Sequence, residues 1–328
     1  YNTRFGSFVK RDKESGEQED LNSFYELLVE AGAGAISDAG LEPADIEAIW
    51  GGSCSPSLFL NQEHVAPLSL EIDPQGLLYK PTTRVEGACA TSSLAIYNAA
   101  YAVASGRFKH VLAIGAEKMS LLNTAEVTHA LACCSYWPDE GAKGMTFPGL
   151  FAELAQAYQA KYHIDNEQLR NMLAHITALN YRNGIQNPLA HFGPGSLPDK
   201  NQLLTAEAIL NLPELGKGGN PLVAPPLRLH DCSLITDGAA AVVLTPTEGA
   251  KTEFKHVVEL AGIGHATERM MIKERRKNLA ELGGAKYAVN QACSEAGIEI
   301  EDLNFAEVHD CFTINEMLCI EAMGLSKP

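Results

Sequence analysis

Residues 84–115 read RVEGACATSSLAIYNAAYAVASGRFKHVLAIG, and this stretch decides the fold. Arg84 to Ala88 is a short strand candidate that runs straight into Cys89. An Ala-rich pattern from about Ala90 to Ala104 predicts a helix and stops at Ser105-Gly106, and His110 to Gly115 is a strand by composition. Outward toward the N-terminus, Phe24, Leu27, Leu28, Ala31 and Ala35 recur at helical spacing, with Gly40 where a C-cap would sit. Ile46 to Trp50 follows as a short apolar run ending in Gly51-Gly52. Tyr1 to Asp20 is polar, with little periodicity. Strand and helix alternate, the mark of an α/β fold with helices on a mostly parallel sheet. Outward toward the C-terminus, residues 119–229 change character. Helical patterns at Gly149 to Tyr162 and Asn166 to Asn183 are separated by loops rich in Pro, Gly and Asn, which predicts a large insertion. Asp237 to Leu244 (DGAAAVVL) and Val257 to Ile263 return to strand composition.

The chain has 328 residues, with 46% hydrophobic and 20% charged, close to the globular average, and this excludes a disordered or fibrous protein. Mean hydropathy is -0.07. The most apolar window, Leu94 to Ala104, is interrupted by Asn98 and falls short of the roughly 20 residues a membrane-spanning helix needs, so no membrane partner is expected. Lys and Arg total 25 against 41 Asp and Glu, a net charge of -16, which argues against nucleic acid. The eight cysteines contain no Cys-x-x-Cys pair and no Cys/His cluster with zinc spacing. They predict free thiols in a reducing compartment and no metal. The expected location is cytoplasmic, with peroxisome or mitochondrion open for a eukaryotic chain; Ser326-Lys327-Pro328 is not the Ser-Lys-Leu address.

An internal repeat organises the chain. AISDAGLEPADI from Ala35 matches ACSEAGIEIEDL from Ala292 at an offset of 257, and each copy leads to an apolar run, Glu47 to Trp50 and Phe305 to Val308. Two unrelated helix-turn-strand units could converge on this pattern; the sharper reading is a duplicated α/β unit with the insertion in its first half. On that reading the counterpart of Cys89 would fall near position 346, and the sequence is expected to be part of a longer enzyme.

Cys89 is the first candidate for chemistry. Between a strand and a helix, its sulfur would lie at a helix N-terminus, where unpaired N–H groups favour the nucleophilic thiolate. Gly87 and Ala88 keep that elbow small. A buried structural cysteine is the competing reading, and these residues alone do not choose. His309-Asp310-Cys311-Phe312 is the second. It follows the expected strand of the repeat, at the end where α/β proteins place their sites, and offers a hydrogen-bond donor and a proton-transfer group. His230-Asp231-Cys232 has the same composition but precedes a strand, and is read as structural. The basic run Arg269 to Lys277 is either a solvated helix face or a seat for a phosphate-bearing ligand.

Taken in order, VEGACATSSLAIYNAAYAVASG, HVLAIGAEKM, TDGAAAVVL and AEVHDCFTINEM resemble a thiolase, and the HDCF tetrad resembles the sterol-carrier-protein-2 type. The resemblance implies a duplicated thiolase-type α/β fold: two βαβαβαββ halves in five α-β-α-β-α layers, with an inserted loop domain. It suggests residues 1–118 as the N-terminal half, 119–229 as the loop domain, 230–256 as the return strands of the N-terminal half and 257–328 as an incomplete C-terminal half. It implies that Cys89 is the acylated nucleophile, that His309 helps hold a thioester oxygen, and that Cys311 moves the α-proton. The reaction would form or cleave the carbon–carbon bond of a 3-ketoacyl-CoA. Coenzyme A and acyl-CoA would be substrates, with no permanently bound cofactor, in a homodimer or homotetramer. One departure stands out: the family's Gly-His-Pro histidine motif does not occur, since Gly264-His265 is followed by Ala266. A related ketosynthase or condensing enzyme, or a catalytically inactive thiolase-like scaffolding subunit, are the alternatives.

Overall fold

Side chains alternate faces along a strand, so a strand covered on both sides must be apolar at every position. The run Val111–Glu117 meets that demand. Leu112, Ile114 and Ala116 join one buried cluster, while Val111 and Ala113 join another on the opposite face. The computed structural model describes residues 1–12, 14–196, 203–275 and 277–327. They form two compact units. The first comprises Tyr1–Ala130, Leu189–His191 and Ile235–Glu259; the second comprises Leu131–Pro188, Phe192–Leu234 and Leu260–Pro328.

The first unit is built on a four-stranded mixed sheet. Strand β1 (Ala48–Gly52) pairs in parallel with β2 (Thr82–Arg84) on one side and β3 (Val111–Glu117) on the other; β3 pairs antiparallel with β4 (Gly238–Leu244). Helix α1 (Phe24–Asp38) covers one face. Ser23 and Glu26 close a capping box at its start, and Leu27, Leu28 and Ile36 are buried against Ile49, Leu112 and Ile114. Each such side chain contributes roughly 1.5–3 kcal/mol. Helix α2 (Thr91–Ala104) covers the other face through Ala95 and Ala99, packed with Ala48, Val111 and Ala113. The polar opening does more than its composition suggests. Tyr1 to Gly6 runs antiparallel beside β4, with the Thr3 N–H on Ala239 O at 2.9 Å, and Val9–Arg11 pairs with Gln18–Asp20 in a small hairpin.

In the second unit α3 (Phe147–Tyr162) and α4 (Asn166–Gly184) share an apolar core with α6 (Thr313–Met323), through Tyr158, Leu169, Leu173, Ile314 and Leu318. Helix α5 (Gly283–Ala296) ends inside the second copy of the repeat, as α1 ends inside the first. The two copies share the turn and the bonds that follow it. Gly40 and Gly297 both take the left-handed conformation, at φ 69° and 68°. The Leu41 N–H returns to Ile36 O at 3.2 Å, and the Ile298 N–H to Cys293 O at 3.1 Å. Asp45 then accepts from the Glu42 N–H and Asp302 from the Glu299 N–H, each at 2.9 Å.

The copies diverge where strands were expected. Phe305 to Val308 forms no strand, and neither does Val257 to Ile263. A strand exists only as part of a ladder, and β1 has neighbours on both sides. Residues 305–308 have no such neighbours among the described residues, and Phe305 is exposed. Around Gly262 and Gly264 the chain instead lies directly on α5. A Cβ on Gly264 would stand 1.7 Å from Ala288 O, and helix side chains take the place of a ladder: Glu295 accepts from the Ile263 N–H and Gln291 from the His265 N–H. His309-Asp310-Cys311 therefore sits in a loop before α6, not at a strand end.

Candidate active site

The Cys89 loop is a tight elbow. After β2 the chain turns through Gly87 and Ala88 into a single 3₁₀ turn, Ala88–Ala90, and enters α2 at Thr91. Ala88 sits at φ 47°, a conformation an L-residue holds only when its surroundings impose it. The Thr91 hydroxyl supplies that constraint, accepting from the Gly87 N–H at 3.0 Å and donating to Ala88 O at 2.7 Å. Small residues let the start of α2 press on the sheet. A Cβ on Gly52 would fall 2.4 Å from Thr91 Cγ2, and one on Gly115 would fall 2.0 Å from Ser92 Oγ. Cys89 is thereby left exposed at the helix start, on a pocket of about 290 Å³ that it shares with Ser53, Cys54, Ser92 and Glu117.

Glu117, the last residue of β3, was not singled out by the sequence. Its carboxylate accepts from Ser53 Oγ at 2.7 Å and from the Cys54 N–H at 2.8 Å. Burial pushes the carboxyl above its ordinary range, and the proximity of Cys89 and Asp237, groups that are negative when ionised, acts in the same direction. Nearby, Asp237 immediately precedes β4 and ties three segments together. It accepts from the Phe8, Met119 and Ser120 N–H groups and from the buried Lys118 ammonium. Burial opposes ionisation here, but these donors outweigh it and hold the carboxyl below its usual range.

His309 and Cys311 lie in the second unit. His309 is exposed; Cys311 is buried, at 8%. The loop carrying them is fixed from several sides. Cys311 O accepts from the Ser233 N–H at 3.0 Å, Phe312 bridges to Cys232, and the Phe312 ring stacks on Phe151 at 4.3 Å. Asn180 of α4 donates to Asp310 at 3.3 Å and to Glu316 at 2.7 Å. No signal in the sequence marked Asn180. The neighbouring His230-Asp231-Cys232 is occupied by contacts within the fold, as its position before a strand suggested. Within the basic run Arg269 to Lys277, Arg269 is paired with Glu274, Lys273 with Asp139 and Arg275 with Glu268, so these three are engaged by carboxylates of the chain; Arg276 lies outside the described residues. Among the described residues no group of three or more His, Cys, Asp or Glu could hold a metal ion, and no helix is long and apolar enough to cross a membrane.

An elbow cysteine over a small-residue sheet defines a class, and comparison with known proteins identifies it. The Thiolase, N-terminal domain model matches residues 7–200, and the Thiolase C-terminal domain-like model matches residues 264–328. The chain belongs to the thiolase family and is an acyltransferase. It is 38% identical over 309 residues to an acetyl-CoA acetyltransferase of Methanothermobacter thermautotrophicus, covering 94% of this chain and 74% of that protein. A second acetyl-CoA acetyltransferase, from Methanocaldococcus jannaschii, is 37% identical over 328 residues, covering 99% of this chain and 74% of that one. Among solved structures, the Ltp2-ChsH2(DUF35) aldolase shares the fold, with a TM-score of 0.74 at 21% identity over 99% of this chain and 75% of that one.

Proposed function

We propose that this protein is an acetyl-CoA C-acyltransferase that forms or cleaves 3-ketoacyl-CoA through a thioester on Cys89. In the synthetic direction the Cys89 sulfur attacks the carbonyl of a first acyl-CoA, the C–S bond to coenzyme A breaks, and coenzyme A leaves with a proton. Cys311 then takes the α-proton of a second acyl-CoA while His309 donates to its thioester oxygen, stabilising the enolate as charge develops. The enolate carbon attacks the acyl-Cys89 carbonyl, and the C–S bond to Cys89 breaks to release a 3-ketoacyl-CoA. The Cys89 thiolate regains a proton as Cys311 gives up the one it took, returning Cys311 to the thiolate that began the step. Every proton and electron pair is accounted for by the two thioesters and the side chains, so the sequence of steps asks for no permanently bound cofactor. The backbone N–H groups of the elbow are the natural donors to the acyl-Cys89 oxygen.

The observation that supports this reading most strongly is the forced elbow at Ala88, which sets an exposed sulfur at the start of a 14-residue helix. With it goes the proposal that residues 119–229 are the inserted loop domain, between the halves 1–118 with 230–256 and 257–328, and that the protein assembles as a homodimer or homotetramer. The decisive assay supplies acetoacetyl-CoA and coenzyme A to the purified protein. Acetyl-CoA should form, and Cys89→Ala should abolish its formation while the unfolding midpoint stays unchanged. A folded Cys89→Ala protein with undiminished turnover would refute the assignment. A protein that binds acyl-CoA but never acylates would return the scaffolding alternative.

A further inference from the structure

Among the described residues no strand ladder holds the loop carrying His309, yet an oxyanion donor must be placed to within about half an ångström to work. The molecule meets that need from the following helix. Asn315 and Cys319 stand four residues apart on α6, on one face of the helix. The Asn315 side-chain amide donates to His309 O at 2.6 Å, and the His309 N–H hydrogen-bonds the Cys319 sulfur. The same Asn315 amide also reaches that sulfur, at 3.8 Å. Both backbone polar groups of His309 are thus gripped by a single helix face. Asn315 is 8% exposed, so this is a shielded contact. Phe312, at the N-cap, offers no side-chain cap, and the first polar side chains of α6 are turned to the loop and to Asp231.

We propose that Asn315 and Cys319 are positioning residues that hold the His309 backbone so that its imidazole meets the thioester oxygen of the second acyl-CoA. The inference rests on the role given to His309 above. Asn315 takes the carbonyl, Cys319 takes the amide, and Asn180 adds a tether on Asp310. A misplacement of about 1 Å costs on the order of 100-fold in such a step. The grip acts on the second half-reaction alone, because acylation of Cys89 does not use His309.

The test separates the two half-reactions in the full chain. Acetylation of Cys89 by acetyl-CoA is followed by intact mass, and transfer of that acetyl group to a second acetyl-CoA is followed by product formation. Asn315→Asp keeps the shape but sets a carboxylate oxygen against the His309 carbonyl. It should slow transfer about 10- to 100-fold and leave Cys89 acetylation at the parent rate. Cys319→Ala should slow transfer less, and Cys319→Ser, which keeps an acceptor, should recover the loss. Hydrogen exchange of the peptide spanning 305–312 should accelerate in Asn315→Asp and Cys319→Ala, and that measurement decides the matter even if one variant is too unstable for kinetics. Unchanged transfer and unchanged exchange in both variants would overturn the proposal. His309→Ala distinguishes the two readings: if it transfers acetyl at the parent rate, the role of His309 fails; if it loses transfer while Asn315→Asp and Cys319→Ala keep it, only the positioning role fails.

Discussion

The chain contains the tripeptide His-Asp-Cys twice, at 230–232 and at 309–311, side by side in one unit through the Ser233 to Cys311 hydrogen bond. Their fates differ completely. In the first copy each side chain is committed to the fold. His230 Nδ1 meets the Tyr181 hydroxyl at 2.7 Å, Asp231 accepts from the Arg228 N–H and the Thr313 hydroxyl, and Cys232 points its thiol at Arg228 O. Burial lowers the His230 imidazole, raises the Asp231 carboxyl and pushes the Cys232 thiol up to about 12. In the second copy the His309 and Cys311 backbones are held by Asn315, Cys319 and Ser233, the Asp310 carboxylate accepts from Asn180 and Cys311 is buried, while His309 and Asp310 are exposed. Composition therefore says little about whether a motif is reactive. Whether its side chains or its peptide groups are used as fixings says a great deal.

The largest expected effect lies in the histidines. His309→Ala should lower kcat about 100- to 1,000-fold with little change in unfolding midpoint, since it removes one oxyanion donor. His230→Ala should do the reverse, losing stability by orphaning the Tyr181 hydroxyl while a folded fraction keeps its turnover. If the two variants behaved alike, the contrast between the tripeptides would be lost.

The aspartates sharpen the same contrast. Asp231→Ala leaves two buried donors unmet and should cost roughly 1–3 kcal/mol in denaturant unfolding. Asp310→Ala, at an exposed position, should stay within about 0.5 kcal/mol. The pH dependence tests Asp231 further. The unfolded Asp231 carboxyl titrates at about 3.9, and burial raises the folded value above that. Its contribution to stability is therefore complete below about pH 4 and is lost as pH rises through the raised value. Asp231→Asn should flatten that decline in unfolding midpoint, and a decline as steep as the parent's would contradict the buried setting of Asp231.

The smallest effect concerns the thiols. At pH 8, iodoacetamide should label Cys89 well ahead of Cys232, which remains protonated at that pH. Peptide mapping gives the order directly. Equal labelling of both would mean that Cys232 is not held as described.

Much of the first unit was legible because its signals are local. The apolar run from Val111, the helical spacing of Leu27, Leu28 and Ala35, and the Gly40 turn each announce their own structure, and the elements fall within a few residues of where periodicity puts them. The elbow was readable from Gly87-Ala88-Cys89 for the same reason. The expected strands at 257–263 and 305–308 failed because composition can favour an extended chain but cannot supply the neighbour that makes it a strand. The polar opening failed in the opposite sense: Thr3 and Gly6 reach their partner β4 more than 200 residues away, where no local pattern could point. The unforeseen residues of the candidate site, Glu117, Asn180, Asn315 and Cys319, share that character. Each acts by touching a segment distant in sequence or by turning a side chain onto the backbone, and neither leaves a periodic trace.

The central claim is that Cys89 carries the acyl group. Incubating the purified protein with acetyl-CoA and reading its intact mass tests this most directly. One acetyl group should add to the parent chain, map to the peptide bearing Cys89, and be absent from Cys89→Ala; an acetyl group that persists in Cys89→Ala, or maps to another cysteine, would contradict it.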